Sequence, residues 1–174
     1  MSFSFDWQDN SSLLAPAIGI FAGIFDSKGR IGVVEIKNGK HNGELMLPGG
    51  GVSAHNGIKA LDERIIFQEL AQILKEKIGI SLPMPKLLPP MFLSITRGGS
   101  NLALAILLGV IKKLPKNRGM KYIAPGELRE NAENLPKNRI LGGWGKQMHR
   151  LILRLLAESP NPRFAKEAGR MLEE

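Results

Sequence analysis

The sequence predicts a single α/β domain, and three observations carry the prediction. Two apolar, β-branched runs near the N-terminus are joined by a short polar turn. A stretch of about twenty residues without Gly or Pro then repeats its apolar side chains at helical spacing. A second group of strand-like runs follows, and an amphipathic segment closes the chain, so that strands and helices alternate around one core.

Ala17 to Phe25 (AIGIFAGIF) and Ile31 to Ile36 (IGVVEI) are predicted strands, linked by the turn Asp26-Ser27-Lys28-Gly29-Arg30. Leu45-Met46-Leu47 is a short strand ended by Pro48 and the glycines Gly49, Gly50 and Gly51, which should form a loop. From about Ile58 to Lys77 there is no Gly or Pro, and the apolar residues Leu61, Ile65, Ile66, Leu70, Ile73, Leu74 and Ile78 mark one face of a helix, stopped by Gly79. Four prolines between Ser81 and Pro90 predict an extended connection. Met91 to Thr96 and Leu102 to Ile111 are strands around a Gly-rich hairpin turn, and Met120 to Ala124 is another, before a short helix opened by Pro125. Trp144 to Glu158 is predicted helical, Ser159-Pro160-Asn161-Pro162 ends it, and Arg163 to Glu174 forms a last polar helix. The expected organisation is an N-terminal extension over 1–14, the domain over 15–158 and a helical tail over 159–174.

Composition narrows the function classes. The 174 residues include no cysteine and three histidines, which excludes thiolate catalysis and thiolate metal sites and leaves only oxygen ligands for a hard cation. No apolar run is long enough for a membrane span, and the first residues carry neither a basic leader nor an apolar signal core, so a cytoplasmic location without membrane partners is the expectation. Lys and Arg outnumber Asp and Glu by 24 to 16, a formal charge of +8 that favours polyanionic partners. The basic residues are spread over loops and the C-terminal third without a nucleic-acid motif, which fits a solvated surface as well as one that handles phosphate or nucleic acid.

The segments Leu47-Pro48-Gly49-Gly50-Gly51-Val52, Glu76-Lys77-Ile78-Gly79-Ile80 and Lys121-Tyr122-Ile123-Ala124-Pro125-Gly126-Glu127-Leu128 occur in an order that resembles the Nudix hydrolase family, over roughly residues 15 to 130. The resemblance implies a Nudix-type α/β/α sandwich with a mixed β-sheet. It also implies a helix whose glutamates hold Mg²⁺ against a diphosphate. Thirty positions separate Gly49 from Gly79, where the family pattern needs about 22, so the chain carries roughly two extra helical turns. Anchored on Gly79, where the helix must stop, the family's Arg falls on Gln72, its first Glu on Ile73, and its closing pair on Glu76 and Lys77. Anchored on Gly50 without a gap, Arg64 and Glu69 meet an Arg and a Glu position, while Ile65, Gln68 and Ala71 depart from it. Neither register completes the family's carboxylate set.

Asp62, Glu69 and Glu76 recur every seven residues and so share a helix face, with Gln72 between the last two. A line of charges opposite an apolar stripe is also the ordinary wet side of an amphipathic helix. Glu69 and Glu76 are the candidate metal ligands and catalytic carboxylates; Gly49, Gly50, Gly51 and Arg97 are the candidate substrate contacts. Lys77 argues against ordinary catalysis, because its cation competes with Mg²⁺ for the same region, and Glu35 and Glu44 could supply carboxylates from the sheet. Lone loop histidines (His41, His55), the helical Trp144, Met148 and His149, and the strand aromatics Phe92 and Tyr122 are read as packing or surface residues before ligand contacts. Two functions follow: a Mg²⁺-dependent hydrolase of a nucleoside diphosphate-type linkage, or a catalytically silent module of the same fold that binds a nucleotide, RNA or protein partner. The apolar face of the helix from Trp144 would serve a homodimer.

Overall fold

The computed structural model describes residues 17–37, 42–52, 63–81, 91–95, 101–111, 119–128 and 146–174. Within them lie strands β1 (Ala17–Phe25), β2 (Ile31–Glu35), β3 (Leu45–Met46), β4 (Gly49–Val52), β5 (Met91–Ile95), β6 (Asn101–Val110) and β7 (Met120–Ile123). The helices are α1 (Glu63–Ile78), a turn α2 at residues 125–128, α3 (Lys146–Leu156) and α4 (Pro162–Glu173). The strands form one mixed sheet of order β3-β2-β1-β6-β5, with β4 paired to β1 and β7 to β2. β1 runs parallel to β6 and antiparallel to β2 and β4.

The strict alternation in β1 and β6 sorts their side chains onto two faces. Ile20, Ala22, Ile24, Leu104 and Ile106 point to the side covered by α1, where Ile66, Leu70, Leu74 and Ile78 meet them. Phe21, Phe25, Ala103 and Ala105 point to the other side and pack with Leu151, Ile152, Leu155 and Leu156 of α3 and Ala168 of α4. Helices on both faces of a mixed sheet make the α/β/α sandwich that the family resemblance implies.

Gly79 closes α1. It adopts φ 70°, which a side chain would disfavour, and its N–H donates to the Lys75 carbonyl at 3.1 Å while that of Ile80 donates to Leu74 at 3.2 Å. The β1–β2 turn is locked by Asp26, whose carboxylate accepts from the Lys28 and Arg30 amides at 3.0 and 2.9 Å and pairs with the Arg30 guanidinium at 2.7 Å. The start of α4 docks on this turn: Ser159 Oγ donates to the Gly29 carbonyl at 2.6 Å, and Asn161 Nδ2 donates to that of Lys28 at 3.0 Å while its Oδ1 caps Arg163 N–H. The tail helix is thereby seated on the same core as the sheet.

Two expectations change. The glycines do not end a strand in a loop; they form β4, with Gly49 opposite Phe21, Gly50 opposite Ile20 and Gly51 opposite Gly19. The N-terminal half of β1 offers an edge that β2 leaves open, and a strand begun by three glycines can lie close to it. The apolar residues of α3 do not await a second copy of the chain, because Leu151, Ile152, Leu153, Leu155 and Leu156 are buried between the sheet and α4. Dimerisation therefore has no support from that surface. Among the described residues no helix is long and apolar enough to cross a membrane.

Candidate functional site

The candidate site is the seam between β4 and the C-terminal half of α1. β4 is pressed onto β1: a Cβ on Gly49 would collide with the Ile20 carbonyl oxygen and come within 2.7 Å of the Phe21 Cα. Gly49 and Gly50 are buried and Gly51 is exposed. The first atoms that a Cβ on Gly50 would meet belong to α1: Lys77 Nζ at 2.7 Å, Lys77 Cε at 3.6 Å and Ile73 Cγ2 at 3.7 Å. The Lys77 ammonium donates a hydrogen bond to the Gly49 carbonyl at 3.0 Å.

These contacts follow from helix geometry. At about 100° per residue, Lys77 is turned about 100° from Glu76 toward the sheet, beside the apolar stripe that ends at Ile78. Glu69 and Glu76 lie farther round and are both exposed. Glu76 accepts a hydrogen bond from the Gln72 side chain one turn earlier. The two carboxylates therefore share a face, but the side chains that α1 brings to β4 are a cation and an isoleucine. Asp62, Arg97, His41, His55 and Trp144 lie outside the described residues.

The other sheet carboxylates and ring side chains have their own surroundings. Glu35 pairs with Lys121 at 2.8 Å on the exposed side of β2 and β7, and this ammonium, by hydrogen bond and by charge, lowers its pKa. The Tyr122 hydroxyl and His149 Nε2 are buried without a partner among the described residues. Burial raises the Tyr122 pKa, with the charge of Asp26 adding to it, and lowers that of His149. A separate cavity of about 260 Å³ against α4 is lined by Arg163, Glu167, Arg170, Met171 and Glu174, a set of mixed charge remote in sequence from the seam.

The resemblance implies Mg²⁺, and the seam tests whether it fits. Mg²⁺ takes one or two carboxylates plus waters and substrate oxygens in near-octahedral geometry. Among the described residues no three His, Asp or Glu side chains lie close enough to hold an ion, and the side chain hydrogen-bonded to the β4 backbone is an ammonium. At the β4–α1 seam the described residues present an ammonium and an isoleucine to β4 rather than oxygen ligands, and that corner does not fit Mg²⁺.

No protein-family model matches the chain, and no curated protein matches its sequence. Solved structures match its fold. It is similar to the MutT protein from Methanosarcina mazei, at 17% identity and a TM-score of 0.51 over 81% of this chain and 93% of that one. It is also similar to the C-terminal domain of mouse MUTYH, solved in complex with human PCNA, at 13% identity and a TM-score of 0.50 over 78% and 86% of the two chains. A bifunctional NMN adenylyltransferase/ADP ribose pyrophosphatase from Francisella tularensis is similar at 19% identity and a TM-score of 0.50, over 81% of this chain and 40% of that one. With the sandwich and the glycine strand in place, these likenesses show the fold alone: the chain folds as a Nudix-type α/β/α sandwich.

Sequence reasoning singled out the glycines and the exposed carboxylates, and noted Lys77 only as an obstacle. What it missed is the pairing of Lys77 with Gly49 across 28 positions. The available signal was the Lys at a closing carboxylate position together with a glycine strand in place of a side-chain-bearing one.

Proposed function

We propose that the protein binds a phosphate-containing small molecule of the nucleoside diphosphate class at the β4–α1 seam, without hydrolysing it by the metal-dependent route. The observation that carries this reading is the Lys77 ammonium held on the Gly49 carbonyl. It places a positive charge where phosphate oxygens can be met by a charge-assisted hydrogen bond, and it leaves a divalent ion an unfavourable neighbour. The net charge of +8 assists the approach of an anion.

A second reading, a Mg²⁺-dependent hydrolase of a diphosphate linkage, draws on the structural relatives, a MutT protein and an ADP ribose pyrophosphatase among them. The residues that would serve it are Glu69 and Glu76 as ligands and catalytic carboxylates, with Gly49, Gly50, Gly51 and Arg97 toward substrate. Function resides in the site rather than in the fold, and the Lys77 contact is what supports the binding reading.

One experiment separates the two. Mg²⁺-dependent hydrolysis of a panel of nucleoside diphosphate compounds is measured for the native chain and for Glu76→Gln and Glu69→Gln. The binding reading expects the same background rate in all three. Turnover by the native chain that falls about 10²-fold or more in either variant would establish the hydrolase instead.

A further inference from the structure

Gly50 poses a question that its backbone does not answer. It is not among the glycines with positive φ, so no conformational demand excludes a side chain. What excludes one is Lys77, whose Nζ lies 2.7 Å from where the Cβ would be. The glycine makes room for the ammonium. Having entered that space, the ammonium spends one of its three donors on the Gly49 carbonyl. Lys77 remains exposed, and among the described residues no carboxylate pairs with it. It also sits in the last turn of α1, where the helix dipole favours a cation. The position thus holds a positive charge with unspent donors, next to backbone that a ligand can approach through exposed Gly51.

The family resemblance implies a divalent cation in this region, and the side chains that α1 brings to β4 do not fit one. We propose that Lys77 is a built-in cation that takes over the task of meeting phosphate oxygens, so that anion recognition at the Gly49–Gly50–Lys77 corner is independent of metal. The inference rests on the phosphate-binding reading above and deepens it: the ligand is a diphosphate taken up free of its metal.

The test uses the full chain and inorganic pyrophosphate, with affinity measured by calorimetry in chelator and in Mg²⁺. Native protein binds in chelator, and added Mg²⁺ does not tighten binding. Lys77→Gln weakens binding about 10-fold or more, as loss of a charge-assisted contact requires, while Lys77→Arg retains most of it. Lys75→Gln, which removes an exposed lysine of the same turn, leaves affinity unchanged. Gly50→Ala, which keeps the charge but displaces Nζ, weakens binding while the thermal unfolding midpoint holds. Binding that requires Mg²⁺, or a Lys77→Gln affinity equal to that of native protein or of Lys75→Gln, overturns the built-in cation; pyrophosphate binding by native protein then still supports a phosphate ligand, met by groups other than Lys77. Absence of pyrophosphate binding by native protein under both conditions overturns that reading, and the inference with it.

Discussion

The two faces of the sheet are covered in different ways. On one, α1 contributes a single stripe, Ile66, Leu70, Leu74 and Ile78, and turns Glu69, Gln72 and Glu76 to solvent. On the other, α3 has the sheet beneath it and α4 above, so that five of its residues from Leu151 to Leu156 are buried while Arg150 stays exposed. A helix covered by both the sheet and a second helix serves mainly to hold the fold together. A helix with one free side can carry chemistry, and the glycine strand lies along the border of that free side. The difference explains why the sequence patterns of the two helices diverge although both pack on the same strands.

Truncation of a buried leucine on each face should expose the contrast most strongly. Leu155 is fully buried and its Cδ2 is 2.8 Å from where a Cβ on Gly23 would lie, so the sheet and helix are locked at that point. Leu155→Ala leaves a cavity closed by the sheet and α4 and should cost about 4 to 5 kcal/mol, the upper part of the range for such changes. Leu70→Ala, equally buried but on a helix with one open side, can relax toward solvent and should cost about 3 kcal/mol. Urea unfolding of both variants decides, and a larger loss for Leu70→Ala would mean that enclosure is not what distinguishes the faces.

The sheet's two-faced pattern was legible because it is local. In β1 the alternation of Ile20, Ala22 and Ile24 with Phe21 and Phe25 is written in nine consecutive residues, and Gly79 announces the end of α1 by the one conformation it readily adopts. β4 was not legible, since Pro48-Gly49-Gly50-Gly51 reads as a break and its strand character comes from the edge of β1, some thirty residues away. The seam was half legible. The spacing of Glu69 and Glu76 was plain, but which α1 side chains reach β4 depends on how far the helix is rotated over the sheet, and a rotation of one residue exchanges Glu76 for Lys77.

Neighbouring glycines sharpen the comparison at the seam itself. A methyl group on Gly49 meets the backbone of Ile20 and Phe21, which cannot move without disturbing β1, the strand shared by both cores. Gly49→Ala should therefore cost about 3 kcal/mol. On Gly50 the same methyl group meets the far end of a lysine side chain that can swing away, so Gly50→Ala should change stability by less than about 1 kcal/mol. Parallel thermal unfolding of the two variants is the measurement. Equal losses would show that β4 is held rigid along its length and that the space at Gly50 is not kept for Lys77.

The smallest effect belongs to His149 on the enclosed face. Its Nε2 is buried without a partner among the described residues, and burial holds the imidazole below its ordinary value of 6.5. Above that value the ring is neutral in both the folded and the unfolded chain, and stability does not depend on it. As pH falls below 6.5 the unfolded chain gains a proton there before the folded chain does, so folding loses stability until the lower folded value is passed. His149→Gln removes this dependence. The difference in unfolding free energy between native protein and variant, followed from pH 8 to pH 5, should stay flat down to about 6.5 and then shift in favour of the variant. A difference that stays flat over the whole interval would mean that the ring is solvated or paired in solution, and that the enclosure of α3 is looser at its first turn than over Leu151 to Leu156.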